Sequence, residues 1–342
     1  ERVWQALQNG DALVPYIEVD LSEEEERYVL ATLDPIGAMA QASKDQLGTL
    51  LAEVQSGEAG VQAMLERVAK DAGVIPLEPK PVPEAQVDRA EELREKWQTA
   101  RGQVWQIGRH RLMCGDSTSK EDVDALLDGN KPLLMVTDPP YGVNYDPNWR
   151  NEAAAERKIA YAASRIGKVA NDDRADWSDA YRLFPGDVMY AWSPPGDLII
   201  VTGTAIQSAG FIIRYQIIWA KPHSPISRGA YRYRHEPCWY AVRKGAAAHF
   251  IGPANESTLW EIALDKNIDG GHGTQKPLEC MARPIRNHEG DVYDPFLGSG
   301  TTMVAAEQLG RICYGMEIEP KYVAVCLERM ANMGLHPRLV EP

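Results

Sequence analysis

Asp138-Pro139-Pro140-Tyr141 follows directly on the apolar run Leu133-Leu134-Met135-Val136-Thr137. An acid, two prolines and an aromatic at a strand's carboxyl end form a rigid pocket for an exocyclic amino group on a flat ring. The Asp138 carboxylate and a neighbouring carbonyl accept the two N–H hydrogens, and Tyr141 stacks on the ring. The prolines fix the backbone and remove N–H donors that would compete for those acceptors. Methylating an amino group on a nucleobase calls for this combination. An ordinary Pro-Pro turn after a buried strand uses the same residue types, because Asp-Pro opens many turns. Four residues do not separate the two readings.

A second segment does. Asp291-Val292-Tyr293-Asp294-Pro295-Phe296-Leu297-Gly298-Ser299-Gly300-Thr301-Thr302 reads as a short strand running into a glycine turn. Met303–Leu309 then reads as a helix stopped by Gly310. Such a turn lets backbone approach a ligand at the crevice beyond the strand ends of an open α/β sheet. The next strand, Ile312–Met316, ends in Glu317, placed to bind ribose hydroxyls, and Pro320 suits the first turn of a closing helix. A nicotinamide dinucleotide usually calls for a third glycine and rests its pyrophosphate on the helix N-terminus. Here Thr302 and Met303 follow instead. S-adenosylmethionine has no phosphate and needs only the turn, the acid and an adenine contact, so it is the expected cofactor.

With both motifs in view, the chain resembles the DNA amino-methyltransferases in which the catalytic motif precedes the cofactor motif, over about residues 101–332. Gln106–Ser117 looks like that group's opening strand, and the resemblance implies that Asp116 contacts the cofactor's adenine. Gly273-Thr274-Gln275-Lys276-Pro277 resembles the motif at the cofactor's methionine part, through Thr274 and Lys276. Asp294, Phe296, Gly298, Gly300 and Thr301 belong to the glycine-turn motif, and Glu317 is the ribose acid. Tyr231-Arg232-Tyr233-Arg234-His235-Glu236 is similar to the stretch before the family's late hairpin. The implied fold is α/β, a Rossmann-like methyltransferase sheet with one antiparallel strand. A small, mostly helical N-terminal domain is expected beside it.

The elements that must position these residues fall into three parts. Residues 1–75 read as a helical domain, residues 76–100 as a proline-rich linker plus a charged helix from about Glu84 to Thr99, and residues 101–342 as the catalytic domain. Leu13–Asp20 and the acidic helix after it resemble the later part of a ParB-like domain, without the Asn expected near Leu33-Asp34-Pro35. Beginning at Glu1 rather than Met, the sequence is expected to belong to a longer one. Its 342 residues suffice for a full core and a smaller domain. No apolar run reaches membrane-spanning length and no signal-peptide pattern opens the chain. Five cysteines without Cys-x-x-Cys spacing read as reduced, buried thiols of a cytoplasmic, bacterial or phage-encoded protein with no metal site.

A net charge of −13 looks wrong for a DNA binder, but residues 1–100 carry eleven of those charges. Residues 211–250 hold seven basic residues against Glu236 alone. Arg228, Arg232, Arg234 and Lys244, with Tyr231 and Tyr233 interleaved, are the expected phosphate-tracking surface; a solvated strand pair is the plainer alternative. The polar segment Asn144–Lys168 reads as a flap over the DNA. Ser193-Pro194-Pro195-Gly196 resembles the serine form of the catalytic motif, but it lacks the aromatic and is expected to precede a strand at Leu198–Thr202. Pro237-Cys238 matches the dipeptide of cytosine-C5 methylases; an amino group needs no covalent activation, so Cys238 is expected in the core. The expected activity is methyl transfer to adenine N6 of double-stranded DNA, on a base swung out of the helix, by a protein that can form a homodimer. Cytosine N4 is the alternative target, and an inactive DNA-binding module the alternative of another class.

Overall fold

The computed structural model describes residues 83–143, 171–222, 231–263 and 275–340, all within the unit Val82–Pro342. The expected N-terminal domain, the flap Asn144–Lys168, Arg228 and Thr274 lie outside the described residues.

Ten strands form one sheet in the order β10-β1-β2-β9-β8-β3-β4-β6-β5-β7. They are β1 (Val104–Ile107), β2 (His110–Cys114), β3 (Leu134–Thr137), β4 (Val188–Trp192), β5 (Phe211–Ala220), β6 (His235–Arg243), β7 (Leu259–Glu261), β8 (Val292–Asp294), β9 (Cys313–Glu317) and β10 (Pro337–Leu339). Strands β2, β9, β8, β3 and β4 are mutually parallel, so their carboxyl ends share one edge. Every residue of β3, β4, β8 and β9 is buried, as expected of parallel strands covered on both faces. Strand β6 runs against both β4 and β5 and is the antiparallel strand of the core. The family-like opening strand is in fact a hairpin, because Gly108-Arg109 turns the chain between β1 and β2; β1 adds a second reversed strand towards the other edge.

Side chains alternate between two apolar layers. Leu112, Leu134 and Val136 enter one layer, while Met113 and Met135 enter the other. The first layer is closed by α5 (Leu278–Arg286), α6 (Thr301–Gln308) and α7 (Pro320–Asn332). The second is closed by α2 (Lys120–Leu127), α3 (Ser178–Leu183) and α4 (Leu198–Ser208). The run Leu198–Thr202 is therefore helix rather than strand. Asp197 accepts the Leu198 amide at 3.0 Å, and the element returns the chain to the start of β5. As a consequence Ser193-Pro194-Pro195-Gly196 follows a strand, β4, on the same edge as Asp138.

The described part of the expected linker is also not free. Helix α1 (Ala90–Trp97) puts Ala90 and Leu93 against Ala324 and Val325 of α7. The Trp97 indole donates to Glu328 at 2.9 Å and Thr99 donates to the Pro320 carbonyl at 2.7 Å. Residues 83–100 thus pack as part of the catalytic unit.

Candidate active site

Asp138 stands at the carboxyl end of β3, and its carboxylate is already engaged. The Lys276 ammonium, from just before α5, donates to Oδ1 at 2.9 Å and Oδ2 at 2.8 Å. The same ammonium donates to the Tyr141 hydroxyl at 2.9 Å and lies 2.9 Å from Oε2 of Glu236 on β6. Lys221, just past β5, binds the other Glu236 oxygen. Asp138, Lys276, Glu236 and Lys221 therefore form one row of alternating charges, and the Lys276 side chain is only 6% exposed. Burial pulls the Lys276 ammonium down, but Asp138 and Glu236 outweigh it and hold its pKa well above the ordinary lysine value. For Glu236, burial pushes upward, yet Lys276 and Lys221 bring it down to about 2. Asp138 is raised by burial, against the pull of Lys276.

The backbone around Asp138 is braced from both sides. Thr137 donates to Asp294 at 2.7 Å and so ties the end of β3 to the end of β8. The Trp177 indole donates to the Pro140 carbonyl at 2.9 Å, and its ring meets Phe296 edge-on at 4.7 Å. Trp177 thereby links the Asp-Pro-Pro-Tyr motif to the glycine turn. Asp172 accepts the Gly142 amide at 2.9 Å and holds the turn that follows Tyr141.

The glycine turn sits one strand away. Gly298 and Gly300 have φ of +56° and +89°, and a Cβ on Gly300 would lie 2.5 Å from the Cys326 sulfur. Gly300 then caps α6. Glu317 closes β9; it accepts the Gly298 amide at 2.9 Å and the Glu319 amide at 2.8 Å. Burial pushes its carboxyl up to about 7. On the neighbouring strand end, Asp116 holds Thr118 through Oδ1 at 2.9 and 2.8 Å, while its own amide is fixed by Asp122 at 2.7 Å. A left-handed glycine turn, a ribose-type acid and a second acid on adjacent strand ends suit a nucleoside-bearing ligand without phosphate. Asp294 and Thr301 face inward instead. Asp294 is buried, accepts Thr137 and the Phe296 amide, and is raised to about 6 by burial. The Thr301 hydroxyl accepts from Gln275 at 3.2 Å and Arg329 at 3.1 Å. Both shape the turn from behind.

The basic stretch divides between two edges. Arg232 and Arg234 are exposed immediately before β6, on the edge shared with Asp138, and the Tyr233 hydroxyl lies close to Gly196 there. Lys244 lies past the other end of β6, about 26 Å along the strand from Glu236, where its amide meets the Gly210 carbonyl. Neighbouring Arg243 is structural: its guanidinium bonds the carbonyls of Gly186 and Phe184 and covers the Phe211 ring at 4.5 Å. Lys244 therefore does not belong to one surface with Arg232 and Arg234. All five cysteines are free and buried, and burial holds the Cys238 thiol well above its ordinary value, so it packs rather than attacks. Among the described residues no group of His, Cys, Asp and Glu is arranged to hold a metal, and no helix is long and apolar enough to cross a membrane.

Sequence reasoning assigned no site role to Glu236 or Trp177, and read Lys221 only as one cation of the basic, phosphate-tracking stretch. The His235-Glu236 pair was legible only as the approach to a hairpin, and nothing local marks Trp177.

The DNA methylase family of N6 and N4 methyltransferases matches residues 133–328. Over 235 residues the chain is 28% identical to YubD of Escherichia coli (strain K12), covering 65% of this chain and 90% of that one. Over 262 residues it is 24% identical to the type II methyltransferase M.BglII of Bacillus subtilis, covering 62% and 68%. Among solved structures it is similar to the M1.HpyAVI–SAM complex, with 26% identity, a TM-score of 0.44, and coverage of 64% of this chain and 98% of that one.

Proposed function

Since the chain belongs to the N6/N4 DNA methylase family, we propose that it methylates the exocyclic N6 of adenine in double-stranded DNA with S-adenosylmethionine as donor. One observation supports this reading: Asp138 just past β3, the glycine turn after β8 and Glu317 at the end of β9 stand at the carboxyl ends of three adjacent parallel strands. When bound there, S-adenosylmethionine supplies an electrophilic methyl group. Glu317 accepts the ribose hydroxyls, Gly298 and Gly300 let backbone close on the ligand, and Asp116 lies within the same row of strand ends. The target adenine leaves the duplex, because its amino group is inaccessible to the site inside the stack. Tyr141 stacks on the flipped ring. Asp138 accepts one amino hydrogen and the Pro139 carbonyl the other, since Trp177 already occupies the Pro140 carbonyl. Both bonds draw the nitrogen lone pair out of ring conjugation, and fixed proximity to the donor does much of the rest.

The aspartate form of the motif favours adenine. Cytosine N4 has one structural point in its favour: Ser193-Pro194-Pro195 ends β4 on the same edge. No aromatic follows it, and the Ser193 amide is bonded to the Pro237 carbonyl at 3.0 Å. Nucleoside mass spectrometry on unmethylated DNA treated with protein and donor is expected to find N6-methyladenine. N4-methylcytosine alone would overturn the adenine assignment and leave the family standing. Asp138→Ala removes an acceptor needed as the amino group pyramidalises. Turnover should fall by about a thousandfold while cofactor affinity, read by titration, changes little. Near-normal turnover would remove Asp138 from the mechanism.

A further inference from the structure

The Lys276 ammonium bonds both Asp138 oxygens and the Tyr141 hydroxyl, in the place where an amino group on a flipped base would be received. Building on the proposed function, we infer that Lys276 is a latch on Asp138 and that Glu236 is the positioning residue that takes the ammonium over when the base arrives. The transfer is short, because Glu236 Oε2 already stands 2.9 Å from the lysine nitrogen. It is also required by charge. Positive charge develops on the amino nitrogen as the methyl arrives, and an ammonium resting on Asp138 would cancel the carboxylate that favours it. Two carboxylates around one buried cation let it move without losing its ion pair, while the arriving amino group takes its place as donor to Asp138. Lys221 on the far side of Glu236 keeps that acid ionised and fixed. No covalent step is involved.

The groups facing Lys276 are Asp138 and Tyr141 beyond β3, Glu236 and Cys238 on β6, and Cys280 on α5; Lys221 faces Glu236 from beyond β5. Both cysteines are buried and their pKa values are raised by burial, so the pH response of turnover belongs to Asp138 and its partners.

The test is a cycle of Glu236→Gln, Lys276→Met and the double variant. It is read on the DNA sequence that the wild-type protein is found to methylate. In Glu236→Gln the lysine stays on Asp138, so kcat should fall about thirtyfold with cofactor affinity unchanged. Lys276→Met leaves Asp138 without its cation, which should move the acid limb of the rate profile to higher pH. The deciding comparison is at pH about 9: with the latch removed, the double variant should turn over about tenfold faster than Glu236→Gln alone. Glu236→Asp keeps the charge and should recover most of the loss; it also serves should the glutamine variant not fold. A second readout needs no methyl donor. Fluorescence of 2-aminopurine at the target position should rise less with Glu236→Gln than with wild type, and the double variant should restore it. A double variant slower than Glu236→Gln, or with fluorescence no higher, overturns the latch. A wild-type protein that methylates no DNA removes the proposed function, and the latch with it.

Discussion

In the proposed function Glu317 is the side chain that joins fold and ligand. Its carboxyl is buried at the end of β9, and burial, only partly offset by backbone amides, pushes it up to about 7 from 4.5. A raised acid favours the protonated form in the folded chain. Its contribution to stability is therefore fully present below pH about 4.5 and is lost as pH rises through about 7. If Glu317 receives the ribose hydroxyls as proposed, they donate to its ionised form, so ligand binding must expel the proton below that range. Cofactor affinity should weaken by up to tenfold for each pH unit below about 7, and Glu317→Gln should bind weakly with no such slope. Titrations from pH about 6 to 8.5 check both points. A wild-type affinity flat across that window would mean that Glu317 is not the group the ligand meets.

Between residue and fold stand the turns. Gly298 and Gly300 share a left-handed backbone, but their surroundings differ: a Cβ at Gly300 strikes the Cys326 sulfur on α7 at 2.5 Å, while one at Gly298 meets nothing within 4 Å. Gly300→Ala should cost about 2–3 kcal/mol, combining a positive-φ alanine with overpacking. Gly298→Ala should cost about 1 kcal/mol, yet weaken cofactor binding more than its stability loss implies, because its Cβ points into open space beside Glu317. Thermal melts and cofactor titrations on the pair separate the effects; equal stability losses would contradict the geometry. This turn, the strand before it and Glu317 were legible in the sequence because glycine, proline and an acid at fixed offsets record backbone requirements. The run Leu198–Thr202 was not. Its branched apolar residues read as strand, and only the need to pass from β4 to the start of β5 across a sheet face makes it α4. Lys276 shows the same limit. Its motif was visible, but its bond to Asp138 joins residues 138 positions apart.

At the scale of the whole molecule the question is where an acidic chain meets an acidic polymer. The net charge of −13 is concentrated in residues 1–100, and among the described residues Arg232 and Arg234 are exposed cations on the carboxyl edge of the sheet where Asp138 also lies. Lys244 was grouped with them by sequence proximity alone. A strand is long enough to carry neighbours in sequence to opposite edges of a domain, and β6 does so. If the carboxyl edge is the DNA face, replacing Arg232 and Arg234 with Ala weakens binding to every sequence, because phosphates carry no base identity. It should also flatten the dependence of log affinity on log salt by about two units, near one per lost phosphate contact. Lys244→Ala, on the other edge, should leave both affinity and slope unchanged. Tyr141→Ala should impair capture of the flipped base by about 1–3 kcal/mol without touching the slope, since stacking releases no counterions. Affinities of the three variants at several salt concentrations test the arrangement in one series. A slope that falls with Lys244 and holds with the two arginines would place the DNA across the opposite edge, out of reach of Asp138.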